Sequence, residues 1–143
     1  MKKLLVVVLA LLMAATMMVA CNEKAEDTKP TEAPVEDAHP DAVAAAEELN
    51  AEAAEVLADA EEAGMGGKLK MYAEAKGTEI IKVVEIDSGV LELMGGFETL
   101  KEEMDANPFN NEEMTAKYPG VDKFTQILKD MEGNVIYTTS FTK

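Results

Sequence analysis

Cysteine and histidine, two side chains that often supply nucleophiles and metal ligands, occur once each in this sequence, at Cys21 and His39. A single cysteine can form neither an intramolecular disulfide nor a cysteine-based zinc site. His39 stands beside Pro40 in a polar stretch without converging partners, so we interpret it as incidental rather than as a ligand. The usual nucleophile–base pairs are therefore missing, and we expect a protein that is not an enzyme.

Carboxylates are the abundant reactive groups, with 28 acidic residues against 13 basic ones and a net charge of −15. This balance argues against nucleic acid as a partner, because phosphate binding depends on clusters of Lys and Arg. A glycosidase-type carboxylate pair stays open on number alone, but the chain has no Trp and few aromatics for a sugar platform. Residues 105–113 lack EF-hand spacing and residues 64–68 lack P-loop spacing, so we predict no metal or cofactor site.

The one cysteine follows a segment with the layout of an export signal. Lys2 and Lys3 precede an apolar run over residues 4–12, which is too short to span a membrane. Residues 18–21 (MVAC) resemble a bacterial lipobox, in which the peptide is cut before the cysteine and the thiol is acylated. We therefore predict a lipoprotein signal peptide over residues 1–20 and a lipid anchor on Cys21, which would place the protein on the extracytoplasmic face of the cell membrane. The alternative, an ordinary secretory peptide with an accidental cysteine, is weaker.

Two acidic segments follow the cysteine. Residues 22–40 contain three prolines, six acidic residues and two lysines, so residues 21–40 are predicted to form a disordered acidic tether. Residues 41–63 are rich in alanine and predict a helix with Asp41 as its N-cap. This helix carries eight acidic residues and no lysine. We interpret its acidic side as a solvated face, and a docking face for a basic partner or divalent cations is the open alternative.

The remaining residues predict a small α+β domain that covers residues 41–143 together with the acidic helix. Alternating and β-branched residues predict hairpins over residues 68–87 and 123–142. Between them, apolar residues at helical spacing predict a helix over residues 90–106, weakened at Gly95-Gly96, and then a loop over residues 107–120. Residues 121–131 suit a helix or a strand by periodicity, and we assign a strand because the last strand needs a partner. The expected fold is a small antiparallel sheet of about four strands with one or two helices on one face.

Two short stretches carry a resemblance to a known family. Residues 70–74 (KMYAE) and residues 130–137 (DMEGNVIY) resemble a family of small lipoproteins from Gram-positive bacteria, known only as a domain of unknown function. The resemblance covers roughly residues 68–141, and it implies a lipid anchor, a polar tether and a domain of two hairpins flanked by helices. It implies no catalytic residues.

These observations leave two hypotheses about function. The first is a non-catalytic interaction module at the cell envelope that contacts an envelope protein, a peptide or a cell-wall component. Its contact surface would be a sheet edge or the middle loop, where Phe109 and Tyr118 are the candidate interaction residues. The second is a structural or stress-related acidic surface lipoprotein without a specific ligand. The sequence leaves the oligomeric state open.

Overall fold

The computed structural model describes residues 38–143, so the predicted signal peptide, Cys21 and most of the predicted tether lie outside the described residues. The helices, strands and one 3-10 turn follow one another in this order: α1 (Pro40–Glu62), β1 (Leu69–Lys76), β2 (Glu79–Ile86), α2 (Ser88–Leu93), α3 (Phe97–Met104), the 3-10 turn (Pro108–Asn110), α4 (Glu112–Lys117), β3 (Lys123–Lys129) and β4 (Val135–Thr142). The α+β class predicted from the sequence is confirmed.

The start of α1 differs from the prediction. The N-cap is His39 rather than Asp41, because Pro40 occupies the first helical position and the His39 Nδ1 accepts a bond from the Asp41 N–H at 3.2 Å. The His39 N–H also donates to the Gly77 carbonyl at 2.7 Å. Asp41 instead accepts a bond from the Gly120 N–H at 2.7 Å. His39 therefore belongs to the folded domain and not to the tether.

The four strands form one sheet in the order β1-β2-β3-β4. The pairs β1/β2 and β3/β4 are antiparallel, as predicted, but β2 and β3 run parallel, so the sheet is mixed rather than antiparallel throughout. The reason is the connection between β2 and β3, which carries α2, α3 and α4 across the sheet. Such a crossover returns the chain to the end from which it started, whereas a tight turn reverses it.

The segment between β2 and β3 is more divided than the sequence indicated. The predicted helix over residues 90–106 is two helices, α2 and α3, because Gly95 and Gly96 adopt φ values of 97° and 87°. These values lie in a region that favours glycine and is incompatible with a continuous right-handed helix. The predicted loop over residues 107–120 contains the 3-10 turn and α4, whose N-cap is Asn111.

The core lies between the sheet and the helices on one of its faces. It is divided into two groups of side chains, which we name by the helices that cover them. The α3-side cluster contains Val56, Ala60, Leu69, Val84, Ile86, Val90, Met94, Leu100, Met104 and Leu128. The α4-side cluster contains Ala42, Ala45, Ala46, Ala73, Ile80, Met114, Val121 and Phe124. Alanine lines much of the sheet-facing side of α1, which lets this helix pack closely on β1 and β2.

Candidate functional site

A lysine lies on the buried face of the central strand β2. Successive side chains of a strand point to opposite faces, so Lys82 shares its face with Ile80 and Val84 of the two core clusters. It is only 9% exposed. In the sheet it lies opposite Ala73 of β1 and Gln126 of β3. The row Ala73–Lys82–Gln126 therefore crosses the sheet beneath the helices.

The charges nearest to this lysine come from two helices. Burial lowers the pKa of Lys82, and the charges of Glu52 on α1 and Glu103 on α3 offset this only in part. Burial raises the pKa of both carboxyls, while Lys82 acts in the opposite direction on each. The Oε2 of Glu103 is buried and has no hydrogen-bond partner among the described residues. Each of the three groups is thus held where its charged form is disfavoured.

Gln126 completes this polar layer. Its side chain is buried, and its Nε2 donates to the Met104 carbonyl at the end of α3 at 2.9 Å. That bond satisfies a carbonyl which the helix itself leaves unpaired. The layer formed by Lys82, Glu52, Glu103 and Gln126 lies on the same side of the sheet as the two apolar clusters. Because buried polar groups are tolerated in few arrangements, it favours one packing of the helices over others.

The polar layer contains reactive groups in a setting that restricts their chemistry. A lysine with a lowered pKa can serve as a nucleophile or a general base. Lys82, however, is buried between the sheet and the helices, which restricts the access of a substrate to this side chain. Within residues 38–143, no group of three or more His, Cys, Asp or Glu side chains could hold a metal ion.

The two candidate interaction residues from the sequence, Phe109 and Tyr118, are half-buried and pack against the α4-side cluster. The Tyr118 hydroxyl donates to Glu48 of α1, and the Lys117 Nζ lies 2.6 Å from the same carboxylate. Partial burial raises the pKa of Glu48, but the bonds from Lys117 and Tyr118 outweigh this and the net pKa lies below its ordinary value. Lys117 and Tyr118 thus hold the end of α4 against α1.

The strand β4 forms one edge of the sheet and differs in composition from the other three strands. Its sequence, VIYTTSFT, contains no charged residue, no proline and no glycine. Val135 and Ile136 are 59% and 43% exposed. Edge strands usually carry lysine, proline or a covering element, because their unpaired backbone groups otherwise recruit another chain. Among residues 38–143, β4 has a strand neighbour on one side only.

The opposite edge, formed by β1, is covered at its middle. The Asn50 side chain of α1 accepts a bond from the Ala73 N–H at 2.7 Å and donates one to the Ala73 carbonyl at 2.9 Å. Lys70, Glu74 and Lys76 add charge along the same strand. An amide side chain thus occupies the middle of the β1 edge in the way that a further strand would.

The bonds to Ala73 also show which backbone groups of β4 point away from β3. The backbone N–H and C=O groups of Ala73 point away from β2. Because this direction alternates from strand to strand across the register, the backbone groups of Lys82 point toward β3, and those of Gln126 and Thr139 point toward each other. The backbone groups of Thr138, Ser140 and Thr142 consequently point outward from the sheet. The bond from the Lys143 N–H to the Asp122 carbonyl at 2.9 Å agrees with this alternation.

Two features of this region, the buried Lys82 and the bonds of Asn50 to Ala73, were not predicted from the sequence. The sequence contains a signal for the first of them. Lys82 interrupts the β-branched run EIIKVVEI at a position that shares a face with Ile80 and Val84, which predicts a charge inside the core. The role of Asn50 depends on the distance between α1 and β1 in space, for which residue spacing gives no measure. Cys21 lies outside the described residues.

No family model, curated protein or solved structure matches this chain. None of the helices in residues 38–143 combines the length and apolar character needed to cross a membrane. The resemblance of residues 70–74 and 130–137 to small Gram-positive lipoproteins stays a prediction.

Proposed function

We propose that this protein is a lipoprotein anchored through Cys21 to the extracytoplasmic face of the cell membrane, where its folded domain acts as a non-catalytic interaction module. The single observation that carries the interaction role is the uncharged edge of β4, which has no strand neighbour on its outer side among residues 38–143. A strand edge of this kind binds an extended polypeptide by main-chain hydrogen bonds. The partner is therefore a protein or a peptide of the envelope rather than a polysaccharide of the cell wall.

The other surfaces support this assignment less well. Asn50 occupies the middle of the β1 edge, Phe109 and Tyr118 pack against the core, and the Tyr118 hydroxyl is bonded to Glu48. The sheet face away from the helices carries Val83, but this side chain is only 4% exposed. Lys82, whose pKa is lowered by burial, lies inside the fold, which argues against catalysis by this lysine.

The interaction role is tested by photo-crosslinking in living cells. A photoreactive benzoylphenylalanine replaces Thr138, an exposed residue of β4, and a matched control replaces Glu74, an exposed residue of β1. We expect covalent adducts from position 138 and none from position 74, because among residues 38–143 the β4 edge has no covering element on its outer side, whereas Asn50 occupies the β1 edge beside position 74. Absence of adducts at position 138, or equal adducts at both positions, would contradict the proposal.

The anchor is tested separately by mass spectrometry of the mature N-terminus. The expected product begins at Cys21 and carries acyl chains on that residue. An unmodified cysteine, or cleavage at another bond, would remove the anchoring part of the proposal. The resemblance to small lipoproteins, the apolar run over residues 4–12 and the lipobox-like residues 18–21 support this part.

A second candidate function is that of an acidic surface lipoprotein without a specific ligand. It is favoured by α1, in which several acidic side chains, including Glu55 and Asp59, are exposed. Under this alternative, the probe at Thr138 yields no adduct. Replacement of exposed acidic residues of α1 by glutamine or asparagine would then impair cells as much as loss of the whole chain does.

A further inference from the structure

The β4 edge is self-complementary when two copies of it run antiparallel, and this observation extends the proposed function by naming the partner. We infer that the occupant of the β4 edge is a second copy of this chain, paired across a two-fold axis at Thr139. The inference depends on the proposed interaction role of β4. It predicts one continuous sheet of eight strands.

The direction of the backbone restricts the pairing. The outward backbone groups belong to Thr138, Ser140 and Thr142, and residues opposite each other in an antiparallel pair must share a sheet face. With the axis at Thr139, Thr138 of each copy exchanges two hydrogen bonds with Ser140 of the other. These bonds avoid the irregularity at Ile136, where the register between β3 and β4 shifts. The two copies of Thr139 then form a non-hydrogen-bonded pair on the axis.

The side chains on the helix-covered face fit the same register. The axis at Thr139 sets Tyr137 of each copy opposite Phe141 of the other, which gives two aromatic cross-strand pairs. Such pairs are among the stabilising contacts of antiparallel sheets. Both rings are half-buried in the single chain, where Phe97 already packs edge-on against Tyr137, so the second copy would bury them further. An axis at Thr138 or Ser140 does not pair these rings.

Charge also favours this partner geometry. The most acidic element, α1, packs on β1 and β2 and lies at the edge opposite β4. Pairing through β4 places the two copies of β1 at the outer ends of the sheet. The usual spacing between strands puts these two strands about 33 Å apart. This distance exceeds the Debye length of about 8 Å at physiological ionic strength, so the repulsion between the two helices is screened. The strands that meet carry no charge of their own.

Disulfide trapping tests the axis with single cysteines in the full chain, produced in cells and oxidised in their membranes. Non-hydrogen-bonded antiparallel residues have Cα atoms about 4.5 Å apart, which is within the range that a disulfide spans. Thr139→Cys should give a cross-linked species of twice the chain mass as its main product. The register controls Thr138→Cys and Ser140→Cys should give far less, and the unaltered chain, with Cys21 alone, measures the background.

A second variant separates edge pairing from other causes of association. Proline at position 138 removes an outward N–H without removing a bond to β3, so the strand should remain in the sheet. Thr138→Pro combined with Thr139→Cys should lose the cross-link while circular dichroism stays unchanged. A preferred cross-link at position 138 or 140, or a cross-link that survives the proline, would overturn the inference.

The failure of this inference can be told apart from the failure of the proposed function. If the photoprobe at Thr138 yields adducts only with other proteins, β4 is an interaction edge and the second copy is the wrong partner. If it yields no adducts at all, the interaction role itself is wrong. Adducts of twice the chain mass support both.

Discussion

At the scale of single residues, Lys82 shows how a buried charge makes the stability of this fold depend on pH. Burial lowers the pKa of Lys82 in the folded chain below the ordinary value of 10.5. Between the two pKa values the unfolded chain binds more protons than the folded chain does. The free energy of unfolding therefore rises as pH increases through that window.

The variant Lys82→Met isolates this effect. In the unaltered chain, stability should rise between the pKa of Lys82 in the folded state and about pH 10.5. We expect the variant to lack this rise, because methionine has no proton to lose. Urea unfolding at a series of pH values measures the difference between the two chains. Lys68→Met, which removes an exposed lysine, is the matched control and should keep the rise. An identical pH dependence in the Lys82→Met chain and the unaltered chain would contradict the prediction.

Glu48 makes stability rise with pH as Lys82 does, but in the acid range and because its charged form is favoured in the folded chain. Its net pKa lies below the ordinary value of 4.5, so its bonds to Lys117 and Tyr118 contribute stability above that pH and lose it as pH falls through the folded pKa. Because the Glu48 side chain is partly exposed, we expect Glu48→Gln to cost only about 1 kcal/mol at neutral pH. The difference should shrink in acid. Glu47→Gln, one position away and exposed, supplies the control for the loss of one negative charge from α1.

At the scale of elements, the sequence predicted the existence of the strands better than their directions. Alternation in residues 68–75 and 135–141 indicates strands because one side of each strand faces the core. The direction of β3 relative to β2 is set by the helical crossover between them, and alternation within each strand carries no information on that direction. The break between α2 and α3 was only partly predicted. The glycine pair indicates a weak point in a helix, but its φ angles, which end the helix, are not contained in the sequence pattern.

The polar contacts between elements were the least predictable part. Asn50 lies in an alanine-rich helix, where the sequence suggests a solvated polar residue. Its partner is the backbone of Ala73, 23 residues away, and a backbone group has no sequence signature. As aromatic residues of a predicted loop, Phe109 and Tyr118 are candidates for contact with a partner. In the structure, both rings pack against the α4-side cluster instead.

The role of Asn50 at the β1 edge is tested by Asn50→Ala. The variant loses two hydrogen bonds to Ala73 and gains helix propensity, so we expect a net loss of about 1 kcal/mol in unfolding free energy. Amide hydrogen exchange at Ala73 should accelerate more than exchange at neighbouring positions of β1. Glu55→Ala, which changes an exposed position of the same helix, is the control for propensity. Unchanged exchange at Ala73 would show that Asn50 does not hold this edge.

The turn between α2 and α3 provides a second test at this scale. Gly96 has φ 87° and ψ 178°, and a Cβ at this position would meet no atom within 4 Å. The cost of Gly96→Ala is therefore backbone strain alone, which we expect to be about 1–3 kcal/mol. Gly66→Ala is the comparison, because Gly66 lacks a positive φ. Equal stability of the two alanine variants, measured by thermal unfolding, would contradict this account.

At the scale of the whole molecule, the net charge of −15 is unevenly placed. Residues 41–63 contain eight acidic residues and no lysine, whereas residues 64–143 contain fourteen acidic residues and nine lysines. All seven aromatic residues lie in the second group. Among residues 41–143, the repulsion between carboxylates is thus concentrated in α1, and the remainder, which includes the sheet, is closer to neutral.

This uneven placement predicts that position, rather than net charge, decides the effect of removing acidic residues. Glu55 and Asp59 of α1 are exposed and four residues apart, so their repulsion costs about 0.3 kcal/mol at low salt. The double variant Glu55→Gln/Asp59→Asn should be more stable than the unaltered chain in urea unfolding at low salt, and added NaCl should narrow the gap. Glu112 and Glu113 lie in the first turn of α4, where carboxylates stabilise a helix. Glu112→Gln/Glu113→Gln removes the same charge and should be less stable, so two double variants with equal stability gains would show that net charge alone governs the fold.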